Sequence, residues 1–250
     1  MSSPAPTPRP ALAVSCEDVA RTFGRGERAV VAVHGSSCEV PFGSRIAIVG
    51  PSGSGKSTML HMMAGLETPT AGRVSWPGLP DVAERRGQIG VVFQSPSLVP
   101  ALTVVENVAL PLVLDGVPDA EAQERVTEAL ELVQVTELAT QLPEELSGGQ
   151  AQRVAVARVL ASRPSLILAD EPTGQLDRAN GQHLVEVLLA TAEQLDAALV
   201  ISTHDIEVAD RLQERWRMHE GRLKTDEAGL KRTSVPRATH ADTTTAGGQR

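Results

Sequence analysis

The sequence predicts an α/β fold, with a mostly parallel β-sheet that is interrupted by an inserted α-helical subdomain. The chain of 250 residues is 41% hydrophobic, enough for one large core or two small ones. Its β-rich runs alternate with helical runs, the pattern of a parallel sheet with crossover helices. One of these runs leads through a glycine-rich loop directly into a helix, a strand–loop–helix connection that α/β folds use.

The first half of the chain is rich in β-type runs. They are ALAVSC, AVVAVHG, SSCEV and RIAIVG, then GRVSW and IGVVF after a helix at about residues 56–64. The folded part is expected to begin at about Leu12, because the first ten residues contain four prolines. Residues 1–11 are therefore predicted to be a disordered N-terminal tail.

Helical patterns dominate from about residue 95 to residue 157, and this region is the predicted inserted subdomain. In DAEAQERVTEALELV, Asp119 is expected to cap the helix, and apolar residues recur at helical spacing. These apolar residues are Ala122, Val126, Ala129, Leu130 and Val133.

Strand patterns return after the insertion as LILAD and ALVIST, separated by a helix that carries Leu184, Leu188 and Leu195. RWRMHEGRLK is predicted to be a closing hairpin that turns at Glu220 and Gly221. The folded domain would thus span residues 12–225. Residues 226–250 are small, polar and without periodicity, so they are predicted to be a disordered C-terminal tail.

Composition and charge argue against several classes of protein, although a local basic patch stays possible. A net charge of −8 and 2% aromatic residues argue against a nucleic-acid partner. No apolar run approaches the roughly 18–20 residues of a membrane-spanning helix, and the N-terminus lacks the apolar core of a signal peptide. The protein is therefore expected in the cytoplasm. Cys16 and Cys38 are expected to be buried small hydrophobes on strands.

A phosphate-binding loop follows the strand RIAIV and opens a helix. Its residues are Gly50, Pro51, Ser52, Gly53, Ser54, Gly55, Lys56, Ser57 and Thr58. The glycines let backbone amides surround a β-phosphate, Lys56 supplies a charge to the β- and γ-phosphates, and Ser57 offers a hydroxyl to Mg²⁺. The alternative, a glycine-rich turn without function, is disfavoured by the strand–loop–helix setting.

Two consecutive carboxylates end the predicted buried strand LILAD. Asp170 is expected to reach Mg²⁺, and Glu171 to polarise an attacking water as a general base. Two adjacent acids at a strand end can also be ordinary solvated charges. The phosphate loop elsewhere in the chain favours the catalytic interpretation.

A second glycine-rich helix start, LSGGQ at Leu146–Gln150, opens the helical run AQRVAVARVL and also suits a phosphate. Together with Gln94 in VVFQSPS, GQLD at Gly174–Asp177 and His204 in ISTHD, it makes the chain closely resemble the ATP-binding cassette (ABC) family. The resemblance covers essentially all of the folded part. It implies a P-loop NTPase (RecA-like) core with an antiparallel β subdomain and an inserted α-helical subdomain.

The resemblance also implies an ATPase that works as a dimer, because two cassettes of this family pack head to tail with ATP between them. The phosphate loop of one cassette faces the LSGGQ of the other. Ser147, Gly148, Gly149 and Gln150 would therefore cap the γ-phosphate of a neighbour's ATP. A homodimer is expected.

The remaining site residues are carried over from the same resemblance. Gln94 would contact Mg²⁺ and the attacking water, His204 would hold the γ-phosphate, and Asp177 would lie at the dimer interface. Phe23 stands where the family usually has a tyrosine that stacks on adenine. Phe23 could instead be a core phenylalanine, and His204 an ordinary histidine at a strand end.

Within the family, ENVALPLVLDGV, LADEPTG and the GQLD segment resemble the lipoprotein-releasing, macrolide-exporter and cell-division branch. Gln175 stands where that branch usually has asparagine. The segment Gly72–Gln94 is shorter than in that branch and closer to the cassettes of nitrate and sulfonate importers. The substrate and the direction of transport therefore stay open.

Three functional classes follow from the sequence. The first is the ATPase subunit of a transporter, which would bind a separate membrane permease through the surface around residues 94–107 and lie at the inner face of the membrane. The second is a mechanical signal transmitter that acts through a membrane partner and moves no substrate. The third is a soluble ATPase of translation or DNA repair, disfavoured because the chain has neither a second cassette nor a long coiled coil.

Overall fold

The computed structural model describes residues 12–80 and 87–225, so both predicted tails lie outside the described residues. The first strands form an antiparallel sheet in which β1 (Leu12–Phe23) lies between β2 (Val30–Pro41) and β4 (Ala71–Ser75). The sequence predicted AVVAVHG and SSCEV as separate runs, but both belong to the continuous strand β2.

The reason for this difference lies in a β1 irregularity that faces β2. Asp18 has a φ of 47°, and the register with β2 shifts between Cys16 and Val19. A bulge of this kind lets two strands bend while they stay paired. Gly35 therefore does not end a strand. A Cβ at Gly35 would lie 2.3 Å from the Asp18 carboxylate, so glycine provides the space for the bulge.

The second sheet has six strands in the order β5-β6-β7-β3-β8-β9. They are β3 (Arg45–Val49), β5 (Ile89–Val92), β6 (Leu166–Asp170), β7 (Ala198–Thr203), β8 (Glu214–His219) and β9 (Arg222–Lys224). All neighbouring pairs are parallel except β8 and β9. The predicted hairpin is confirmed, since Glu220 and Gly221 both have positive φ, as a tight two-residue turn requires.

Six α-helices connect these strands in the described part of the chain. They are α1 (Lys56–Met63), α2 (Val104–Leu114), α3 (Asp119–Leu132), α4 (Gly148–Ala161), α5 (Arg178–Gln194) and α6 (Ile206–Ala209), with 3-10 turns at Gly26–Arg28, Thr136–Leu138 and Pro143–Glu145. None of the described helices is long and apolar enough to cross a membrane. The five apolar residues predicted to line one face of α3 and its end are all buried.

The predicted cap of α3 is wrong by one position. Pro118 is the N-cap residue, with φ −56° and ψ 141°, and Asp119 is the first helical residue. The ring of Pro118 fixes φ but carries no oxygen that could accept from the first N–H groups of the helix, so the chain enters the helix without a side-chain cap. The Asp119 carboxylate still lies in the first turn, where the helix dipole favours negative charge.

Both faces of the six-stranded sheet are buried, as a mostly parallel sheet requires. Along β3, Ile46 and Ile48 pack with α1 and the antiparallel sheet, whereas Ala47 between them packs with the helices of the opposite face. Residues of β6 alternate in the same way. The central strands β3, β6 and β7 therefore form an inner layer, and polar residues such as Asp170, Ser202 and Thr203 lie at their carboxyl ends.

Four neighbouring strands end at the same edge of this sheet. The phosphate loop follows β3, Gln94 follows β5 by two residues, Asp170 and Glu171 stand at the end of β6, and His204 follows β7. The carboxyl edge of a parallel sheet is where α/β folds bind ligands. The topology thus brings the sequence-predicted catalytic groups to one place.

The observed architecture agrees with the predicted fold class. A mostly parallel core sheet, a separate antiparallel sheet and a group of helices between β5 and β6 are all present. The predicted boundaries of the domain and of the helical subdomain stay predictions.

Candidate functional site

The phosphate loop is held tightly between β8 and β2. A Cβ at Gly50 would lie 2.1 Å from the Met218 carbonyl oxygen, and one at Gly55 would lie 2.3 Å from the Ala32 carbonyl oxygen. Gly55 also has a φ of 103°, which other residues rarely adopt. Any side chain at Gly50 or Gly55 would therefore displace the loop from the sheet.

Lys56 holds the loop in shape from inside. Its Nζ donates to the carbonyl oxygens of Gly50 at 2.9 Å and Pro51 at 3.1 Å, and the residue is only 5% exposed. The same ammonium lies 3.3 Å from Glu171 Oε1. A cation at the start of α1 is thus paired with a carboxylate at the end of β6.

Glu171 is held on both sides. His204 Nδ1 lies 2.7 Å from Glu171 Oε2, opposite the Lys56 contact on Oε1. The Glu171 backbone has a φ of 46°, and its N–H donates to the carbonyl and hydroxyl oxygens of Ser202, each at 3.1 Å. A non-glycine residue with such a left-handed backbone conformation carries strain of about 1–3 kcal/mol, and strained residues of this kind concentrate at functional sites.

Asp170 is buried directly below this position. It is 4% exposed, and the Ser202 hydroxyl donates to its Oδ1. Ser202 therefore supports both acids, through its hydroxyl to Asp170 and through two acceptors to Glu171. Ser202 was not predicted from the sequence, because its role depends on β7 pairing with β6 in a register that places Asp170 opposite Ser202.

The first cleft lies over the phosphate loop and has a volume of about 180 Å³. It is lined by Ala32, Ser52, Gly53, Gly55, Lys56, Ser57, Thr58, Gln94 and Glu171. Most of the predicted loop, the predicted general base and Gln94 thus face one space. Ser54 is the buried part of the loop, and its carbonyl accepts a bond from the Gly221 N–H at 2.9 Å.

The oxygen donors at this cleft suit Mg²⁺. Ser57 and Gln94 supply a hydroxyl and an amide oxygen, and Asp170 supplies a carboxylate at the adjacent strand end. Mg²⁺ prefers such hard oxygen ligands and keeps several positions for water or phosphate. Among the described residues, no group of three or more His, Cys, Asp or Glu could hold a metal ion.

The second cleft, of about 450 Å³, lies at the LSGGQ helix start and shares no residue with the first. It is lined by Ser147, Gly148, Gly149, Gln150, Arg153, Gln175, Leu176, Asp177 and Asn180. The Ser147 hydroxyl accepts from the Gln150 N–H at 3.2 Å, while the Gln150 amide oxygen accepts from the Ser147 N–H at 2.8 Å. This reciprocal capping box fixes the start of α4.

Asp177 borders the second cleft as the N-cap of α5. Its carboxylate accepts from the backbone N–H of Asn180 at 3.0 Å and from the Asn180 side-chain amide. These two bonds hold the pKa of Asp177 below its ordinary value. The residue is therefore an anion at neutral pH.

Phe23 lies in neither cleft and is not part of the core, since it is 39% exposed. The Arg21 guanidinium stacks 4.7 Å from the centre of its ring and pairs with Glu67 at 2.7 Å. Arg21 was not among the residues predicted from the sequence. Its spacing of two residues from Phe23 on a strand, which places both on one face, is the signal that could have found it.

Known proteins similar to this chain are ATP-binding subunits of ABC transporters. The family model described as ABC transporter matches residues 33–174. The lipoprotein-releasing system ATP-binding protein LolD of Legionella pneumophila is 39% identical over 220 residues, 85% of this chain and 97% of that protein. An uncharacterized ABC transporter ATP-binding protein of Thermotoga maritima is 42% identical over 226 residues, 87% of this chain and 94% of that protein.

Two solved structures have the same architecture. The dimeric ATP-binding cassette MJ0796, bound to ADP and Pi in a post-hydrolysis state, aligns with a TM-score of 0.78 at 36% identity, over 85% of this chain and 98% of that one. CbiO1 of Clostridium perfringens, part of the ABC transporter complex cbiONQ, aligns with a TM-score of 0.73 at 29% identity, over 86% of this chain and 88% of that one.

Proposed function

Because the chain belongs to the ABC transporter family and is one of its ATP-hydrolysing cassettes, we propose that it powers a separate membrane permease. In this proposal two copies of the chain close around ATP and open after hydrolysis. The match to LolD agrees with the lipoprotein-releasing, macrolide-exporter and cell-division branch that the motifs indicate.

The separation of the two clefts is the observation that carries the proposal. Lys56, Gln94 and Glu171 line one cleft, and none of the LSGGQ residues lines it with them. An ATP on the phosphate loop therefore receives its cap from the LSGGQ of another chain. The dimeric state of the MJ0796 cassette supports the same arrangement.

The catalytic step is assigned to the pair formed by Lys56 and Glu171. When ATP occupies the loop, Lys56 exchanges its contact with Glu171 for the β- and γ-phosphates. Glu171 then accepts a proton from a water molecule, whose oxygen bonds to the γ-phosphorus as the bond to the β-phosphate oxygen breaks. The products are ADP and phosphate. His204, which already holds the other Glu171 oxygen, contacts the γ-phosphate.

The positioning of water and metal is assigned to Gln94, Ser57 and Asp170. Bound Mg²⁺ would neutralise charge on the β- and γ-phosphates. Gln94 comes from a segment that runs into the helical subdomain, so its position in the first cleft depends on how that subdomain is oriented.

The contact with the permease is assigned to the surface around residues 94–107. Val99 and Val105 on this surface are 36% and 38% exposed, and such apolar exposure suits a protein contact. The transporter complex that contains CbiO1 gives an example of a related cassette with partners. If the membrane subunit that co-purifies with the chain has a large extracytoplasmic domain, the complex is an exporter or a signalling complex. A separate substrate-binding protein would indicate import.

The test of the shared site mixes two inactive variants. Lys56→Ala removes the charge of each phosphate loop, and Ser147→Arg blocks each γ-phosphate cap by bulk. In a mixed dimer one site carries both changes, whereas the other joins an intact loop to an intact LSGGQ. Mixing should therefore restore ATPase activity, with a steep dependence on protein concentration.

Ser147 also caps α4, so its replacement costs about 1 kcal/mol of stability. Thermal unfolding must show that Ser147→Arg is folded before the variants are mixed. If mixed dimers form and no activity returns, LSGGQ does not serve a second chain and the proposal is wrong.

A further inference from the structure

The segment that carries Gln94 is fastened to the LSGGQ helix by two side chains of that helix. Gln152 Nε2 donates to the Phe93 carbonyl oxygen at 3.1 Å, and Arg158 Nη1 donates to the Ser97 carbonyl oxygen at 2.7 Å. The two carbonyls lie on either side of Gln94. Both donors belong to α4, whose first turn forms the second cleft.

The burial of Gln152 shows that its amide is not there for packing alone. The residue is 0% exposed, and its Oε1 is buried without a hydrogen-bond partner in the described part of the chain. A methionine would fill a similar volume and leave no unpaired acceptor. The bond from Nε2 to Phe93 is therefore what the amide contributes at this position.

Arg158, like Gln152, bonds to a backbone carbonyl of the Gln94 segment. Within residues 12–80 and 87–225 no carboxylate forms an ion pair with it, and its guanidinium donates to a backbone carbonyl, that of Ser97. Burial lowers the pKa of this guanidinium from its ordinary value. A partly buried charge without a counter-ion is costly, so the bond to Ser97 is its main compensation.

Two further contacts continue the connection toward both clefts. The Phe93 ring packs against His61 of α1, the helix that begins at Lys56, with 5.7 Å between ring centres. Gln175 Nε2 lies 3.4 Å from the Gln94 carbonyl oxygen, and Gln175 Oε1 is 2.9 Å from the place of a Cβ on Gly148. Phe93 and Gln94 thus lie between the helix of the phosphate loop and the start of α4.

We infer that Gln152 and Arg158 are positioning residues that make the Gln94 segment and the LSGGQ helix move as one unit. This inference rests on the proposed shared site and deepens it. Each chain serves its own ATP through Gln94 and its neighbour's ATP through LSGGQ. The two bonds therefore let the state of one ATP site change the geometry of the other.

The experiment uses the mixed dimer described above, in which only one site works. In that dimer the Ser147→Arg chain supplies the phosphate loop and Gln94 of the working site, and the Lys56→Ala chain supplies its LSGGQ. Gln152→Met is added to one chain or to the other. Gln123→Met serves as the matched control, because Gln123 is exposed on α3 and its side chain takes no part in either cleft.

A link between the sites predicts that Gln152→Met lowers kcat in both placements, by about tenfold or more, since small errors in position cost that much. KM for ATP should change less than about twofold, because the phosphate loop is intact. Gln152→Leu also removes the N–H donor and stays apolar, so it should behave like Gln152→Met. The control should keep the activity of the parent mixed dimer.

A loss confined to the chain that supplies LSGGQ would overturn the inference, because Gln152 would then support only its own helix. An unchanged kcat in both placements would overturn it as well. If Gln152→Met does not fold, Arg158→Met and Arg158→Lys replace it in the same experiment. Arg158→Met should lower kcat, and Arg158→Lys should restore part of it. Equal activity of that pair would refute the link, whereas failure of the parent mixing experiment would refute the shared site itself.

Discussion

Glu171 lies between two basic side chains in a strained backbone conformation, and this arrangement defines the chemistry of the site at the scale of single residues. Lys56 and His204 each contact one of its carboxylate oxygens. A carboxylate that is held at both oxygens is fixed in direction. Its replacement by an amide therefore tests the chemistry with little change in shape.

Glu171→Gln should bind ATP and hydrolyse it very slowly. The amide keeps the volume but cannot accept the proton of the attacking water, and loss of a general base costs about 10²–10⁴-fold in rate. Steady-state ATPase assays and equilibrium binding of ATP measure the two effects separately. Turnover within about threefold of the unmodified protein would contradict the assignment of Glu171.

Phe23→Ala should weaken ATP binding with little effect on thermal stability. The ring is largely outside the core, and stacking on a base is worth about 1–3 kcal/mol. Arg21 covers one face of the ring, so adenine would use the other face. Phe23→Tyr, which keeps the ring, is the control and should bind ATP normally. A lower melting temperature with unchanged affinity would instead assign Phe23 a structural role.

At the scale of elements, the residues that begin a helix do more than set its geometry, since they also affect binding and stability. Helices α2 and α4 both begin with a capping box, formed by Thr103 and Glu106 in α2 and by Ser147 and Gln150 in α4. In α4 the box shapes a candidate binding surface. In α2 the box carries a charge, and this makes the stability of the helix depend on pH.

Glu106→Gln should lower the melting temperature at neutral pH but not in acid. The backbone N–H and hydroxyl of Thr103 donate to the Glu106 carboxylate and hold its pKa below the ordinary value of about 4.3. A pKa that is lower in the folded state gives stability that is present above the unfolded pKa and lost as pH falls through the folded pKa. Thermal unfolding of both proteins from pH 7 down to about pH 3 should show the difference disappearing. A difference that persists in acid would show that the ionised carboxylate is not its cause.

At the scale of the whole molecule, the proposed function requires each chain to present two incomplete surfaces for ATP. The phosphate loop lies in one cleft and LSGGQ in another, and both belong to a chain in which α4 is tied to the Gln94 segment. A dimer would complete both sites at once. ATP should therefore act as part of the interface.

Glu171→Gln should accordingly form a dimer when ATP and Mg²⁺ are present and return to a monomer with ADP. Slow hydrolysis keeps the γ-phosphate in place, and in the proposed shared site the γ-phosphate is the group that the LSGGQ of the second chain contacts. Sedimentation velocity at several protein concentrations measures the change. The double variant with Ser147→Arg is the control and should stay monomeric, and a monomer of Glu171→Gln at saturating ATP would contradict the proposal.

Local patterns in the sequence predicted most of the strands, the phosphate loop and the two acids at the end of β6, whereas Gln94, His204, Asp177 and Phe23 were predicted from the family resemblance. Short β-rich runs predicted the strands, the glycine spacing predicted the phosphate loop, and the Glu220-Gly221 turn predicted the final hairpin, because each depends on residues close in sequence. The predicted cap of α3 was wrong because the neighbouring Pro118 is the N-cap residue, and the predicted break in β2 was wrong because a bulge in β1 keeps the two strands paired.

What the sequence by itself determined is therefore the order of the elements and the identity of the acids, the lysine and the two glycine-rich helix starts. Only the tertiary structure decided which of these groups meet. The order β6-β7-β3 brings Glu171 to Lys56 and His204, the pairing of β1 with β2 places Cys16 opposite Cys38, and α4 places Gln152 on Phe93. The physical reason is that strand order and register arise from packing across the whole core, whereas sequence patterns report only the conformation of each segment.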